Sequence, residues 1–372
     1  MANQSVGTPR FYVDFTQLAR LKGDYFWSED YQSAINITDD EDGQRPHRVW
    51  NFDFYDVQTY QVFSDTEGFG WKFTFNPNSP ISRLISVSNW AGVFNHKLAS
   101  DLSTPFVSRL NAKFFAQSGV ATDHYNVGDF TDSSIPFDRD YNASLVEKNG
   151  FSLFEFPSPD TETPFIEFWL LNYPTEVDVA GGISLLGKTV DIGAIGFGRY
   201  YDMPQAPDLS VKKSIEYEGV KIQRTLGGGD YVQIDNFGTP DWISGEPWAL
   251  VHPDESNLRL GRHGRRSWQL SFSYISNDDL FFDTNRLNSF ADLEFIVEET
   301  ERGSRDNIVT AGTEIQQIFD LTMCGGLSFV FTPDKDADNP EFAQCRIDQN
   351  SLSATQIAHQ CWNISMNIVE VW

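Results

Sequence analysis

Apolar and polar residues alternate with a period of two in several separated stretches, and this pattern constrains the fold more than any other feature. Trp268, Leu270, Phe272 and Tyr274 alternate with Ser267, Gln269, Ser271 and Ser273. Successive side chains of a strand point to opposite faces, so the stretch predicts a half-buried strand with an apolar face and a hydroxyl-rich face. Trp362, Ile364, Met366 and Ile368 alternate with Asn363, Ser365 and Asn367 in the same way. Trp71, Phe73 and Phe75 make a third case; Phe52, Phe54 and the run 60–63 suggest a fourth. Turn residues separate the runs at 76–80, 156–160, 227–229, 236–242 and 261–264. Short strands punctuated by Gly and Pro read as sandwich or barrel. Helical spacing is scarce; the candidates are 106–115, 351–359 and 313–321. The expectation is an all-β protein of two β-sandwich or barrel-like domains with a few short helices.

At 372 residues, the chain is too long for one ordinary core. We divide it into N-terminal strands at 1–63 packing on the C-terminal domain, a sandwich at 64–203 of accessory type, and a C-terminal β domain at 204–372. Aromatic residues make up 15%, which excludes a low-complexity or disordered chain. The net charge of −26 argues against DNA or RNA as a direct ligand, because such a ligand demands cations for its phosphates. Strong acidity instead favours solubility and a basic partner. The three cysteines, Cys324, Cys345 and Cys361, form no CxxC and no even framework, so they are expected to be small buried residues in a reducing compartment. The opening residues lack the pattern of a secretory signal, and no run approaches the ~20 apolar residues of a bilayer span. The expectation is a soluble protein made in a cytoplasm, without membrane insertion.

Few residues suggest chemistry. Asp334, Asp336 and Asp338 alternate like the start of a calcium loop. Asn339 and Cys345 stand where an EF-hand needs Gly and Glu, so a solvated turn is the stronger reading. Glu155 and Glu167 sit in apolar, strand-like runs and are the candidates for a glycosidase pair, set against a place on solvent faces. The six histidines, His96 among them, show no metal-ligating spacing. The glycines of 192–201 precede no helix and read as a strand with close backbone approach rather than a dinucleotide fingerprint. No catalytic residue, cofactor or metal is expected. Arg259, Arg262, His263, Arg265 and Arg266 form a basic cluster on an acidic chain, directly before the strand that begins at Ser267. Arg262, Arg265, Arg266 and Trp268 are candidate contacts to a neighbouring subunit; pairing with local acids is the competing reading. Trp90, Trp242 and Trp248 lie in or near turn-rich stretches and are candidate glycan contacts, with burial in the core as the commoner fate of a Trp.

Two segments carry a family resemblance: Gly264 to Phe282 (GRRSWQLSFSYISNDDLFF), and the stretch from Gly325 to the terminal WNISMNIVEVW. Their order resembles the tail-tip proteins of long-tailed bacteriophages, particularly distal tail and minor tail proteins. Asn89–Ser100 (NWAGVFNHKLAS), Phe165–Leu171, Ile192–Ser210 and Tyr217–Gly229 resemble stretches of marine phage virion proteins. The resemblance implies a ring or hub at the end of the tail tube, with a β-sandwich ring domain and an accessory domain of galectin-like or oligosaccharide-binding type. The implied partners are further copies of the chain, the tail tube, the hub and the fibres, in a virion. The rivals are a carbohydrate-binding adhesin that recognises a host surface glycan, and a glycan depolymerase.

Overall fold

The structure is a computed structural model, describing residues 7–22, 25–26, 35–37, 48–62, 69–75, 84, 87–96, 108–115, 121–127, 144–148, 150–156, 165–172, 189–216, 220–234, 264–280, 313–337, 340–349 and 351–371. The chain forms two compact units. One joins Met1–Phe11, Tyr201–Phe282 and Thr313–Trp372; the other joins Tyr12–Tyr200 and Asp283–Gly312. The fold is all-β, as the alternation predicts, and the pairings with a defined register are antiparallel.

The Tyr12–Tyr200 unit holds the end of β1 (Arg10–Asp14), which passes into helix α1 (Phe15–Lys22). Asp14 makes this change of direction. Its carboxylate accepts hydrogen bonds from the Gln17 N–H at 2.9 Å and the Thr16 hydroxyl at 2.6 Å, satisfying a donor the first helical turn cannot pair itself. The other carboxylate oxygen accepts from the Phe197 N–H at 3.3 Å. Then come β2 (Tyr25–Phe26), β3 (Ile35–Ile37), β4 (Gln58–Val62), β5 (Phe69–Phe75), β6 (Trp90–His96), β7 (Ser108–Phe115), β8 (Ala121–Val127), β9 (Ser144–Lys148), β10 (Gly150–Glu155), β11 (Phe165–Asn172), β12 (Thr189–Ile192) and β13 (Ala194–Asp202). They lie in the orders β1-β13-β6-β10-β9, β2-β5-β11-β7-β8 and β12-β4-β3.

Of the helix expected at 106–115, the described residues 108–115 are instead β7, paired with β11 on one side and β8 on the other. Leu110, Ala112 and Phe114 also alternate with Asn111 and Lys113, so this short run fits both periods and sheet pairing decides. Phe52 and Phe54 do reach the core, but from a turn rather than a strand. The Asn51 side chain accepts from the Asp53 N–H and the Asp53 side chain accepts from the Tyr55 N–H, which bends the chain. Phe54 stacks on Phe94 at 4.2 Å between ring centroids, and Phe52 meets both rings edge-on. The glycines of β13 do allow close approach. A Cβ on Gly198 would lie 2.0 Å from the Val13 carbonyl oxygen, and one on Gly196 would lie 2.5 Å from the Phe52 ring.

The other unit follows with β14 (Lys212–Glu216), β15 (Val220–Arg224), β16 (Asp230–Ile234), β17 (Arg265–Ser276), α2 (Asn277–Leu280), α3 (Glu314–Leu321), β18 (Phe329–Thr332), β19 (Ala343–Ile347), β20 (Ala354–Ala358) and β21 (Cys361–Glu370). Its sheet runs β14-β17-β21-β19-β18, with β20 also paired to β21; β15 and β16 form a separate ribbon. The helix expected at 313–321 is α3. Thr313 caps it by accepting from the Gln316 N–H, and Ile315, Ile318 and Phe319 are buried. The one expected at 351–359 is instead β20, folded back on β21 through Gln360 at φ 58°. Trp268, Leu270, Phe272, Ile364, Met366 and Ile368 are buried, with Trp268 edge-on to Phe331 at 5.4 Å and Phe11 at 5.2 Å from the same ring. Arg10 donates to both oxygens of Asp202, at 2.6 and 2.9 Å, and Lys335 reaches Asp202 at 2.9 Å. Burial would raise the pKa of Asp202, but these two cations hold it below the usual carboxylate range.

Asp14 is fully buried, and burial outweighs its hydrogen bonds, lifting its pKa to about 6 from the usual 3.8. A carboxyl raised in the folded state contributes stability that is fully present below its unfolded pKa and is lost as pH rises through the folded one. The unfolding free energy of the wild type relative to Asp14→Asn should therefore fall by about 2 kcal/mol between pH 4 and pH 6.5. Denaturant titrations across that range check this; a difference that stays flat would show that the carboxyl is not buried in the protonated form.

Candidate functional site

Two features of the unit that carries β14 to β21 bear on function: the two faces of the β17–β21 pair and the β15–β16 ribbon. On the core side, Arg266 is enclosed by acids. Its Nε donates to Glu370 at 2.9 Å and its Nη2 at 2.5 Å; Nη1 reaches Glu341 at 2.5 Å, and Nη2 also reaches the Phe342 carbonyl at 3.0 Å. Lys213 closes the group on Glu341 at 2.6 Å, and the Arg266 guanidinium lies 5.4 Å from the Trp268 ring centre. The Glu370 side chain is 0% exposed. Burial would lower the pKa of Arg266, but the two carboxylates raise it; burial raises Glu370 more than Arg266 lowers it.

This placement corrects two expected subunit contacts. The charge of Arg266 is spent inside the fold on Glu370 and Glu341, and Trp268 is a buried core ring, so neither is presented to a neighbour. The parity of the strands holds the missed signal. Arg266 shares the core phase of Trp268 and Leu270, and Glu370 shares that of Ile368, so each is the charge the other requires. Arg265 is half-buried, and Arg262 lies outside the described residues.

The solvent side of the same pair is built differently. Gln269 stands opposite Asn367 and Ser271 opposite Ser365, and Ser267 and Ser273 continue the row on β17. The register then shifts between Phe272 and Ile275, so that Ser273 and Tyr274 together face Asn363. This bulge corrects the expected core position of Tyr274. The residue takes φ 63°, its N–H donates to Asn363 Oδ1 at 3.2 Å, and its side chain is 72% exposed. Thr355 on β20 pairs with Asn363 on the far side, and the Gln349 side chain accepts from the Asn367 N–H. Charges stand at the margins, where the Ser273 hydroxyl donates to Asp208 at 2.8 Å and Arg346 pairs with Asp348 at 3.0 Å.

The ribbon of β15 and β16 pairs Ile222 with Val232, Gln223 with Tyr231 and Arg224 with Asp230. Its turn is the expected glycine run. The Gly228 N–H donates to the Thr225 carbonyl at 3.0 Å, and Gly228 takes φ 83°, a conformation open to glycine at no cost. Every described side chain from Lys221 to Gln233 is exposed, including Ile222 at 65% and Val232 at 51%.

The remaining candidates are placed as follows. Trp90 is buried and its indole N–H donates to the Val13 carbonyl at 3.1 Å, a correction to its expected glycan role, since no ring face reaches solvent. Trp242 and Trp248 lie outside the described residues. Asp334 accepts from the Asp336 N–H at 3.0 Å in a turn; Asp338 is outside the described residues. Among the described residues no group of three or more His, Cys, Asp or Glu could hold a metal. Glu155 is half-buried and accepts from the Tyr12 hydroxyl at 2.8 Å, and Glu167 is in register with Lys72 and Lys113. Burial drives the pKa of His96 down to about 3, so it stays neutral. Of the cysteines Cys345 is buried as expected, whereas Cys361 is half-buried and Cys324 is exposed.

The chain matches no known family and no curated protein. Solved structures similar to parts of it include the lectin domain of lectinolysin complexed with Lewis B antigen, at 6% identity and a TM-score of 0.25, covering 44% of this chain and 91% of that one. Another is a CBM32 module of a family 31 glycoside hydrolase from Clostridium perfringens, at 10% identity and a TM-score of 0.25, covering 47% and 96%.

Removing one member of the Arg266–Glu370 pair should leave an uncompensated buried charge. Arg266→Ala is expected to lower the unfolding free energy by about 3–5 kcal/mol, and the double variant Arg266→Met, Glu370→Leu to recover most of that loss. Urea denaturation of the three proteins distinguishes a buried pair from a surface one, for which the single variant would lose under about 1 kcal/mol.

Proposed function

We propose that this chain is a non-catalytic structural subunit of a tailed-phage tail tip, a distal or minor tail protein whose role is to join copies of itself and neighbouring tail components. The observation that carries the assembly role is the β15–β16 ribbon. A two-stranded ribbon by itself is marginal in water, and this one leaves Ile222 and Val232 bare as a cross-strand pair. Such a pair gains free energy when a second surface covers it.

Charge favours another copy of the chain as that surface. The ribbon carries Lys221 and Arg224 against Asp230, whereas the whole chain has a net charge of −26. Ribbon and chain body therefore attract rather than repel. Contacts of this head-to-tail kind close into rings when the rotation permits. The tail-tip identity rests on the resemblance of the β17 and β21 segments, the assembly role on the ribbon. In this reading the protein resides in the virion and meets the tube, hub and fibres.

Light scattering and negative-stain imaging of the purified full chain should show closed rings of several copies. The double variant Ile222→Asp, Val232→Asp should abolish them. Because both side chains are exposed, the subunit's melting transition should be almost unchanged, within about 0.5 kcal/mol. A wild-type monomer at high concentration, or rings that survive the double variant, would overturn the ribbon's role.

A further inference from the structure

The solvent side of β17 and β21 is unusual for this chain. Charged residues make up 22% of the sequence, yet Ser267, Gln269, Ser271, Ser273, Asn363, Ser365 and Asn367 fill successive outward positions without one charge. Gln269, Ser365 and Asn367 are exposed, as are Thr355 and Ile357 on the adjoining β20. Among the described residues, charges border this row: Asp208 on Ser273, Lys212 in register with Gln269, Arg265 and Glu216 beside Ser267, and the Arg346–Asp348 pair.

Tyr274 rises from one end of the surface. An outward aromatic at positive φ is a costly way to finish a strand, because a non-glycine side chain crowds the backbone there. The bulge turns outward a ring that the alternation would otherwise bury, and the Asn363 carboxamide holds the Tyr274 N–H, so the ring leaves the sheet at a set angle. Tyr is also inexpensive to order on binding, having two side-chain torsions.

We infer that this face, Tyr274 with the carboxamides and hydroxyls of Gln269, Ser271, Asn363, Ser365 and Asn367, binds a neutral oligosaccharide. Each carboxamide both donates and accepts, as does each hydroxyl, and that matches the two-way hydrogen bonding of sugar hydroxyls. The Tyr274 ring offers an apolar plate to the C–H face of a pyranose, while its hydroxyl stays wet. The uncharged centre selects against acidic sugars, which the net charge of −26 also repels. A protein partner would ask for a contiguous apolar centre, and the carboxamides and hydroxyls interrupt one here. This inference does not depend on the assembly role, since it concerns other residues and another ligand.

The test is an array of neutral and acidic oligosaccharides probed with the full chain, followed by titration of the strongest neutral ligand. Saturable binding to neutral glycans is expected, weakened about tenfold or more by Tyr274→Gly and by Ser365→Arg. Tyr274→Gly should keep or raise the melting temperature, because glycine accepts φ 63° without strain, so loss of binding would not reflect loss of fold. No binding to any neutral oligosaccharide by the folded chain would overturn the inference. So would neutral binding that neither substitution changes, or binding confined to acidic glycans.

Discussion

The antiparallel pairing of β17 with β21 is the constraint on which the rest of its unit depends. It joins segments about a hundred residues apart, and its register, Trp268 against Ile368 and Leu270 against Met366, decides which side chains enter the core. A slip of one residue would turn one strand over relative to the other and carry its polar side chains inside. Two contacts forbid that slip. Trp268 is fitted against Phe331, and the Arg266 guanidinium reaches Glu370 in this alignment, whereas a one-residue slip would turn the two side chains to opposite faces. The buried ion pair adds little net stability over an apolar pair of equal shape. Its contribution is to the uniqueness of the register.

The two sides of one strand pair thus serve separate ends. Inward, aromatic and aliphatic residues with one enclosed charge pair make a rigid base. Outward, the chain omits charge where charge is common elsewhere, and a bulge turns an aromatic ring to solvent. The ribbon adds a third kind of surface, apolar yet exposed, set on a two-stranded element that gains by being covered. The ribbon proposed for assembly and the sheet face proposed for ligand binding use different residues, so one subunit has room for both.

The companion unit shows a related economy. Asp14 ends a strand, starts a helix and accepts from the backbone of β13, while Gly198 lets that strand approach the Val13 carbonyl. Capping, close approach and the pKa of the carboxyl are consequences of the same packing. A buried acid near neutrality follows from desolvation, without any catalytic partner being needed.

Much of this was legible beforehand, and the exceptions have physical causes. The alternation around Trp268 and Ile364 determined the all-β class, because period two suits strands; the helix at 313–321 and the glycines of β13 likewise depend on local geometry. The alternation could not say that Tyr274 faces outward, since the bulge arises from the register between two distant strands. Nor could it distinguish strand from helix at 106–115 and 351–359, where the run is short and pairing decides. Arg266 read as a surface cation because Glu370 and Glu341 lie 104 and 75 residues further along the chain. Trp90 read as a possible platform because its burial comes from strands that meet only in the fold. What the sequence by itself determined was the period of each segment, which is local physics. What the tertiary structure alone decided was the partner and register of each strand, and with them which residues are exposed to solvent.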